Sequence, residues 1–270
     1  MAEKLKTIFS CSNCDAQFPK WSGRCLECGA WGTLSESVID SKEQRKEILK
    51  KISGANLIDL SHLPSTELDR FQTGILEIDR VLGGGLVPGS LILLAGEPGI
   101  GKSTLVAQLA DALSKGDRTA NKNSSVLYVS GEESANQIKA RLDRLHCDLK
   151  NLKFVSETNV EKIIAAAAKL APELMIIDSI QTIYSALIPA EAGSVSQIRA
   201  GAVKFLELAK QNNIAIILIG HITKDGQVAG PKSLEHIVDT VLYLENEVNN
   251  NYCLLRATKN RFGSVNELGV

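Results

Sequence analysis

The stretch LILLAGEPGIGKST, residues 91 to 104, contains the pattern that decides the fold of this chain. The apolar residues up to Gly96 are typical of a buried strand, and the residues from Lys102 onward have the spacing of an amphipathic helix. Between them lie a glycine, four residues and Gly-Lys-Ser, which is the complete Walker A phosphate-binding pattern. The glycines let backbone N–H groups curl around phosphate oxygens, and the helix N-terminus adds partial positive charge. Because the pattern joins a strand to a helix, an accidental Gly-rich turn is a poor explanation.

Lys102 is predicted to reach the β- and γ-phosphates of a nucleotide, and the Ser103 hydroxyl to bind Mg²⁺. Asp178 follows four apolar residues in LMIID and fits the Walker B carboxylate, the second expected magnesium ligand. The alternative is that Asp178 is only a strand cap or turn residue. The predicted nucleotide-binding residues are Gly96, Glu97, Pro98, Gly99, Ile100, Gly101, Lys102, Ser103, Thr104 and Asp178.

Short apolar runs alternate with helical patterns throughout the rest of the chain. Continuous apolar strands separated by amphipathic helices predict an α/β fold with a mostly parallel sheet covered on both faces. The predicted strands are LILLAG (91 to 96), SVLYVSG (125 to 131), LMIID (174 to 178), IAIILIG (214 to 220) and TVLYLE (240 to 245). Just past the second of these strands, Glu132 and Glu133 are both candidates for a general base, and the residues alone do not choose between them.

Four cysteines near the N-terminus form two CxxC pairs separated by ten residues, and they are Cys11, Cys14, Cys25 and Cys28. This spacing is typical of a structural zinc site, whose metal would stabilise a module too small for a large core. A redox CxxC and a disulfide pair are the alternatives. Trp21 and Trp31 flank the second pair and are expected to pack against the metal site, with nucleobase stacking as the other possibility.

The composition is that of an ordinary globular protein, with a net charge of −1 over 270 residues. Any nucleic-acid binding must therefore come from local patches of charge. No apolar run approaches the roughly 18 residues of a membrane span and no signal peptide is recognisable, so we expect a cytoplasmic protein without membrane contacts. We predict a zinc module (residues 1–35), a charged linker (36–65) and an ATPase domain (66–270).

Near the end of the chain, the segment ATKNRFG (257 to 263) carries Lys259 and Arg261, with no acidic residue from Val248 to Asn266. Side chains two apart on a strand point to the same side, so both cations should project toward a negative group that this segment lacks. A solvated strand end and direct DNA contact are the alternatives.

With these pieces in place, the chain resembles the bacterial RadA (Sms) family of DNA-repair proteins. The resemblance rests on the four cysteines, TGILEIDRVLGGGLVPGS, GEPGIGKST, YVSGEES, DSIQT, GHITKDG and the signature KNRFG. It implies a RecA-like ATPase core that uses ATP and Mg²⁺, assembles into a ring expected to be a hexamer, and moves on DNA during recombinational repair. It also implies a Lon-protease-like C-terminal domain, of which this chain contains no counterpart.

By the same resemblance, Glu132 corresponds to the catalytic glutamate of RecA-like and KaiC-like ATPases. Lys259 and Arg261 resemble the Lys-x-Arg finger that a neighbouring subunit inserts onto the γ-phosphate. Residues 186–199 and 221–236 follow the third and fourth core strands, where RecA-like proteins carry DNA-binding loops. His221 and Gln181 are candidate sensors of nucleotide state, with structural hydrogen bonds as the alternative. The candidate DNA contacts are Arg199, Lys224 and Lys232.

The leading hypothesis is a Mg²⁺–ATP-dependent motor of the helicase or branch-migration type, acting on single-stranded and branched DNA with a recombinase as a further partner. An ATP-driven switch of the KaiC type that acts on proteins is the alternative. A zinc-dependent interaction module whose assembly depends on nucleotide is a third option.

Overall fold

The computed structural model describes residues 6–14, 16–18, 20–39, 59, 69–115, 125–221, 231–247 and 252–270. The chain divides into two units, residues 1–67 and 68–270, and each is described by itself. Most of the predicted linker, namely residues 40–58 and 60–65, lies outside the described residues. No helix among the described residues has the length and apolar character needed to cross a bilayer.

The first unit contains a small antiparallel sheet with the strand order β2-β1-β3. Its strands are β1 (Lys6–Cys11), β2 (Gln17–Phe18) and β3 (Leu34–Ile39). The β3 strand pairs with β1 over its whole length, from Cys11 opposite Leu34 to Lys6 opposite Ile39. Residues 36–39, which we assigned to the linker, therefore belong to this sheet, because their backbone groups complete the ladder with β1.

The two tryptophans of the first unit do not pack against the cysteines as we expected. Trp21 is 63% exposed and Trp31 is 76% exposed. The small core is formed instead by Cys11, Cys25 and Leu34, with Phe9, Cys14, Ala16 and Phe18 packed against them. Phe9 and Phe18, which are paired across β1 and β2, are the aromatic residues that pack against this core.

The second unit, as far as it is described, is built on an eight-stranded sheet. The strands are β4 (Leu91–Gly96), β5 (Val126–Ser130), β6 (Leu152–Ser156), β7 (Leu174–Asp178), β8 (Ala215–His221), β9 (Thr240–Glu247), β10 (Tyr252–Asn260) and β11 (Leu268–Gly269). Their order is β11-β10-β9-β4-β8-β7-β5-β6. All pairs from β9 to β6 are parallel, and β10 and β11 add an antiparallel edge. The five predicted strands are confirmed as β4, β5, β7, β8 and β9.

Helices cover both faces of this sheet, as the alternation of apolar runs and helical patterns predicts. They are α1 (Leu76–Leu82), α2 (Lys102–Lys115), α3 (Ala135–Arg144), α4 (Val160–Leu170) and α5 (Val195–Asn212). Apolar residues of α1, α2 and α3 form one core with the sheet, and those of α4 and α5 form a second core on the opposite face. The α/β fold with a mostly parallel sheet is therefore confirmed.

Three of these helices begin at a polar side chain that accepts a hydrogen bond from the first turn. Ser134 and Gln137 form a reciprocal capping box at the start of α3. Asn159 caps α4, and Ser194 caps α5. Because α3 starts directly after Glu132 and Glu133, its cap fixes the direction in which the chain leaves the carboxyl end of β5.

Candidate nucleotide site and cysteine cluster

The phosphate-binding loop leaves β4 at Gly96 and enters α2 at Lys102. Gly101 has a φ of 107°, a conformation that residues with a Cβ rarely adopt. A Cβ on Gly96 would lie 2.6 Å from the carbonyl oxygen of Leu244 on the neighbouring strand β9. The glycines are thus required by backbone conformation and by the close approach of β9.

Lys102 is buried inside the loop that it follows. Its Nζ atom donates to the carbonyl oxygens of Gly96 at 2.9 Å and Glu97 at 2.8 Å. Burial lowers the pKa of Lys102, while the nearby negative charges of Asp178 and Glu132 oppose that shift. The ammonium group therefore lies within the influence of Asp178, the predicted magnesium ligand, and Glu132, the predicted catalytic carboxylate.

Asp178 is the last residue of β7 and pairs with Ser130, the last residue of β5. Its carboxylate therefore lies at the carboxyl ends of the parallel strands, where the phosphate-binding loop also begins. The Tyr128 hydroxyl donates to Asp178 Oδ2 at 2.6 Å, and both side chains are buried. Burial, followed by the charge of Asp178, raises the pKa of Tyr128. Sequence reasoning missed Tyr128, although a tyrosine within an otherwise aliphatic strand signals a hydroxyl that needs a partner.

The two adjacent glutamates of YVSGEES have different surroundings. Glu132 Oε1 accepts a hydrogen bond from the Ser179 hydroxyl and lies 3.6 Å from His221 Nε2. Glu133 instead forms an ion pair with Arg141 of α3. Of the two, Glu132 is the one that shares the site with Asp178 and Lys102.

Gln181 and His221 lie beside this carboxylate group at the ends of β7 and β8. Gln181 Nε2 donates to the carbonyl oxygen of His221 at 3.4 Å. Gln181 Oε1 and His221 Nδ1 are buried and have no hydrogen-bond partner among the described residues. Each side chain therefore has one polar atom that can still form a hydrogen bond with a ligand at the carboxyl ends of these strands.

A cavity of about 420 Å³ lies beside the start of α2, between the loop, α1 and the strands β9 and β10. Its lining is mostly apolar, which suits the flat ring of a base better than a phosphate. Residues that line it include Ile75, Ile100, Thr104, Gln108, Leu244 and Cys253. Burial raises the pKa of Cys253.

Lys259 and Arg261 are both paired within the chain. Lys259 Nζ donates to the carbonyl oxygens of Glu235 at 2.6 Å and Val238 at 2.8 Å. Burial lowers the pKa of Lys259. Arg261 Nη1 lies 3.3 Å from Asp239 Oδ1. Besides burial, the charge of Arg261 lowers the pKa of Lys259, so the two cations lie close to each other. β10 ends at Asn260, and Arg261 is the first residue beyond it.

Asp239 is a buried carboxylate that the sequence pattern did not single out. Besides Arg261, it binds Lys210 Nζ at 2.9 Å and the backbone N–H of Leu91 at 3.1 Å. This group lies at the start of β4, whereas the phosphate-binding loop begins at Gly96, five residues and about 17 Å further along the strand. Within one chain, Arg261 and the phosphate-binding loop therefore lie at opposite ends of the parallel strands.

One predicted DNA loop is tied to the fold by a single buried side chain. Gln197 Nε2 donates to the carbonyl oxygens of Ser185, Ile188 and Ala190 at 3.2, 3.0 and 2.9 Å. Its Oε1 atom accepts from the Ser185 N–H at 2.8 Å. The first half of the predicted segment 186–199 is thus anchored to α5.

The three predicted DNA contacts lie on separate parts of the chain. Arg199 is an exposed residue of α5, and Lys232 is an exposed residue of the 3₁₀ turn Pro231–Ser233. Lys224 lies outside the described residues.

The four N-terminal cysteines form one cluster, with their Sγ atoms within 4.8 Å of one another. Cys11 and Cys28 sulfurs are 3.7 Å apart, and those of Cys14 and Cys25 are 3.5 Å apart. A zinc ion bound tetrahedrally at about 2.3 Å needs sulfurs about 3.8 Å apart, so the cluster fits this metal. A hydrogen bond from the Asn13 side chain lowers the pKa of Cys28 to about 6, whereas burial raises that of Cys14 to about 12.

Comparisons with known proteins agree with both sites. A model of the rubredoxin metal-binding domain matches residues 9–36, and an AAA domain model matches residues 59–227. The DNA repair protein RadA of Pseudomonas aeruginosa is 46% identical over 275 residues, which cover 99% of this chain and 58% of that protein. The RadA proteins of Haemophilus influenzae and Bacillus subtilis are 45% and 43% identical, each with 58% of its length covered.

These similarities confirm the resemblance to the bacterial RadA proteins that the motifs indicated. The chain spans somewhat more than half the length of these curated relatives. The metal-binding match coincides with the four-cysteine cluster, which is a zinc-binding ribbon. The AAA match includes the phosphate-binding loop, Glu132 and Asp178, and extends over more than half of the residues, so this chain belongs to the AAA domain family of ATPases.

Proposed function

We propose that this chain hydrolyses ATP with Mg²⁺ at the carboxyl ends of β4, β5 and β7. The observation that carries the proposal is the convergence of Lys102, Asp178 and Glu132, since both carboxylate charges act on the buried ammonium group. Lys102 would exchange the carbonyl oxygens of its own loop for phosphate oxygens. Glu132, oriented by Ser179, would position a water molecule or accept its proton.

Ser103 and Asp178 would hold the metal. The residues fit a hard cation, because both offer oxygen and the Tyr128 hydroxyl occupies only one of the two Asp178 oxygens. Bound Mg²⁺ would neutralise charge on the phosphate oxygens. The cavity beside α2 would take the base of the nucleotide.

We also assign Lys259 and Arg261 a role in trans, on a nucleotide bound by a neighbouring copy in a ring. The support is geometric, because in its own chain Arg261 lies at the end of the parallel strands opposite the phosphate-binding loop. Arg261 would exchange Asp239 for the developing negative charge of the transferring phosphate. Mixing Lys259→Ala with Lys102→Ala subunits should restore turnover, since each variant would supply what the other lacks. Mixed assemblies that form but stay inactive would contradict the assignment.

The name of the relatives, DNA repair protein, supports a role in DNA repair. We further propose single-stranded or branched DNA as the partner and ATP-driven movement as the output, as the resemblance of the motifs implies. Exposed Arg199 and Lys232 would contact the backbone without reading sequence. The test is steady-state ATP hydrolysis with and without single-stranded DNA at low and moderate salt. Stimulation that falls as salt rises is expected. Transfer of phosphate onto protein, without a response to DNA, would favour the KaiC-like switch.

A further inference from the structure

The zinc ribbon exposes its two largest apolar side chains, although its own core is very small. The buried core residues are Cys11, Cys25 and Leu34. Trp21 and Trp31 could have enlarged this core, since an indole buries about 150–250 Å². Both are instead mostly in solvent. Neighbouring exposed aromatic rings of this kind mark interaction sites.

The two indoles are held close together by backbone contacts. Arg24 and Trp31 form an isolated β-bridge, and the Gly32 N–H donates to the carbonyl oxygen of Gly23 at 2.9 Å. A Cβ placed on Gly23 would lie 3.8 Å from the Trp31 ring and 3.9 Å from the Trp21 ring. Both rings therefore lie beside Gly23, which has no side chain of its own to cover them.

Positive charge lies next to this pair of rings. The Arg24 guanidinium carbon is 6.0 Å from the centre of the Trp31 ring, and Arg24 Nε donates to the Gly29 carbonyl oxygen at 2.9 Å. The side chain is thus fixed beside the indole, and exposed Lys20 precedes Trp21 in the chain. Flat aromatic faces with adjacent cations are the combination that binds bases and phosphates of single strands.

We propose that Trp21 and Trp31 form a stacking site for the bases of single-stranded nucleic acid, with Arg24 and Lys20 contacting the phosphates. The site lies on the ribbon and uses none of the nucleotide-site residues. It also shares no residue with the DNA contacts predicted at Arg199, Lys224 and Lys232.

The chain offers a direct test because it contains two tryptophans, both in this site. Intrinsic tryptophan fluorescence of the full zinc-loaded chain therefore reports on the ribbon alone. Titration with a thymidine homopolymer should quench the emission by stacking. An abasic strand of equal length, which carries the same backbone charge without bases, should leave it nearly unchanged. Equal quenching by both strands, or none by either, would overturn the proposal.

Variants separate stacking from folding. Trp31→Ala and Trp21→Ala should each weaken binding of a labelled homopolymer about tenfold, measured by anisotropy, and Trp31→Phe should recover part of the loss. Leu26→Ala removes another exposed apolar side chain of the ribbon and should bind normally. Zinc content of one per chain in each variant shows that the ribbon is folded. Wild-type affinity in folded Trp21→Ala and Trp31→Ala would refute stacking and point to a protein partner for the indoles.

ATP hydrolysis without DNA distinguishes this inference from the proposed function of the core. The tryptophan variants should keep the basal rate of the wild type, because neither residue contributes to the nucleotide site. Absence of quenching in the wild type, together with a normal basal rate, would count against the ribbon site alone. Absent hydrolysis with normal quenching would count against the nucleotide site alone.

Discussion

Replacement of Tyr128 by phenylalanine removes a single oxygen atom from the interior of the ATPase core. The Tyr128 hydroxyl donates to Asp178 Oδ2 at 2.6 Å, and neither side chain is more than slightly exposed. A hydrogen bond to a charged group contributes about 1.5–3 kcal/mol, and the phenylalanine ring keeps the surrounding packing. We therefore expect Tyr128→Phe to lower the free energy of unfolding of the core by about 2 kcal/mol.

Urea unfolding followed by far-ultraviolet circular dichroism measures this change in the helices of the core. Tryptophan fluorescence would not report it, since both tryptophans lie in the ribbon. With an m-value of about 3 kcal/mol per molar, the midpoint should fall by roughly 0.7 M. The matched control is Tyr243→Phe, whose hydroxyl donates to Glu235 at 3.0 Å in a half-buried position. This control should lose less than about 1 kcal/mol.

Tyr128→Phe should also change how the free energy of unfolding depends on pH in alkaline solution. Burial and the charge of Asp178 raise the pKa of Tyr128 in the folded state, whereas an unfolded tyrosine ionises near pH ~10. The stabilisation is therefore complete below that pH and is lost as the pH rises above it. In Tyr128→Phe, the free energy of unfolding should therefore fall less steeply as the pH rises. Burial and Glu235 raise the pKa of Tyr243 to about 12, so this tyrosine should still contribute its own part of the pH dependence in that variant.

Equal urea midpoints for Tyr128→Phe and the wild type, with equal alkaline slopes, would refute the role assigned to the hydroxyl. A normal midpoint combined with a higher Mg²⁺ requirement for nucleotide binding would show instead that the bond orients Asp178 without stabilising the fold.

Three further predictions concern the two ends of the sheet. Glu132→Gln should bind ATP, but its rate of hydrolysis should fall at least about 100-fold. Glu133→Gln should keep most of its turnover. If single-turnover assays showed the larger loss for Glu133→Gln, the roles of the two glutamates would be exchanged. Bound ATP should protect Cys253 from alkylation, because the thiol lines the cavity assigned to the base. Cys147 is the control and should react equally with and without nucleotide, as followed by peptide mass spectrometry. Equal labelling of Cys253 with and without ATP would show that the base does not bind in that cavity. Asp239→Asn should lower the free energy of unfolding of the core by roughly 1–3 kcal/mol, because two cations and the backbone N–H of β4 lose a buried carboxylate; an unchanged urea midpoint would contradict this.

The sequence was sufficient to predict the parallel core because its strands are buried on both faces. All six residues of β4 are buried, so the stretch LILLAG is apolar without interruption. β6 was missed because it lies at the sheet edge, and its burial alternates irregularly among partly exposed residues in LKFVS. A weak apolar pattern of this kind does not distinguish an edge strand from a loop.

The residues of the site were predictable where a local motif requires them, and less so where distant segments meet. The glycines around Lys102 follow from the phosphate-loop pattern, but the bond between Tyr128 and Asp178 joins strands 50 residues apart. The surroundings that separate Glu132 from Glu133 depend on Ser179 and Arg141, which no spacing rule brings together.

Strand alternation predicted that Lys259 and Arg261 project together toward a negative group that their own segment lacks. Burial and the charge of Arg261 lower the pKa of Lys259, so the two cations lie close to each other in the fold. The acidic partner of Arg261 could not be identified from spacing, because Asp239 precedes β9 in another part of the chain.

Asp239 and the phosphate-binding loop share a rigid connection. Asp239 accepts from the N–H of Leu91, the first residue of β4, and Gly96 is the last residue of the same strand. β4 is buried along its whole length between two parallel neighbours. Arg261, through Asp239, is therefore connected to the phosphate-binding loop by one buried strand, and a change in the Arg261–Asp239 pair has a direct structural path to that loop.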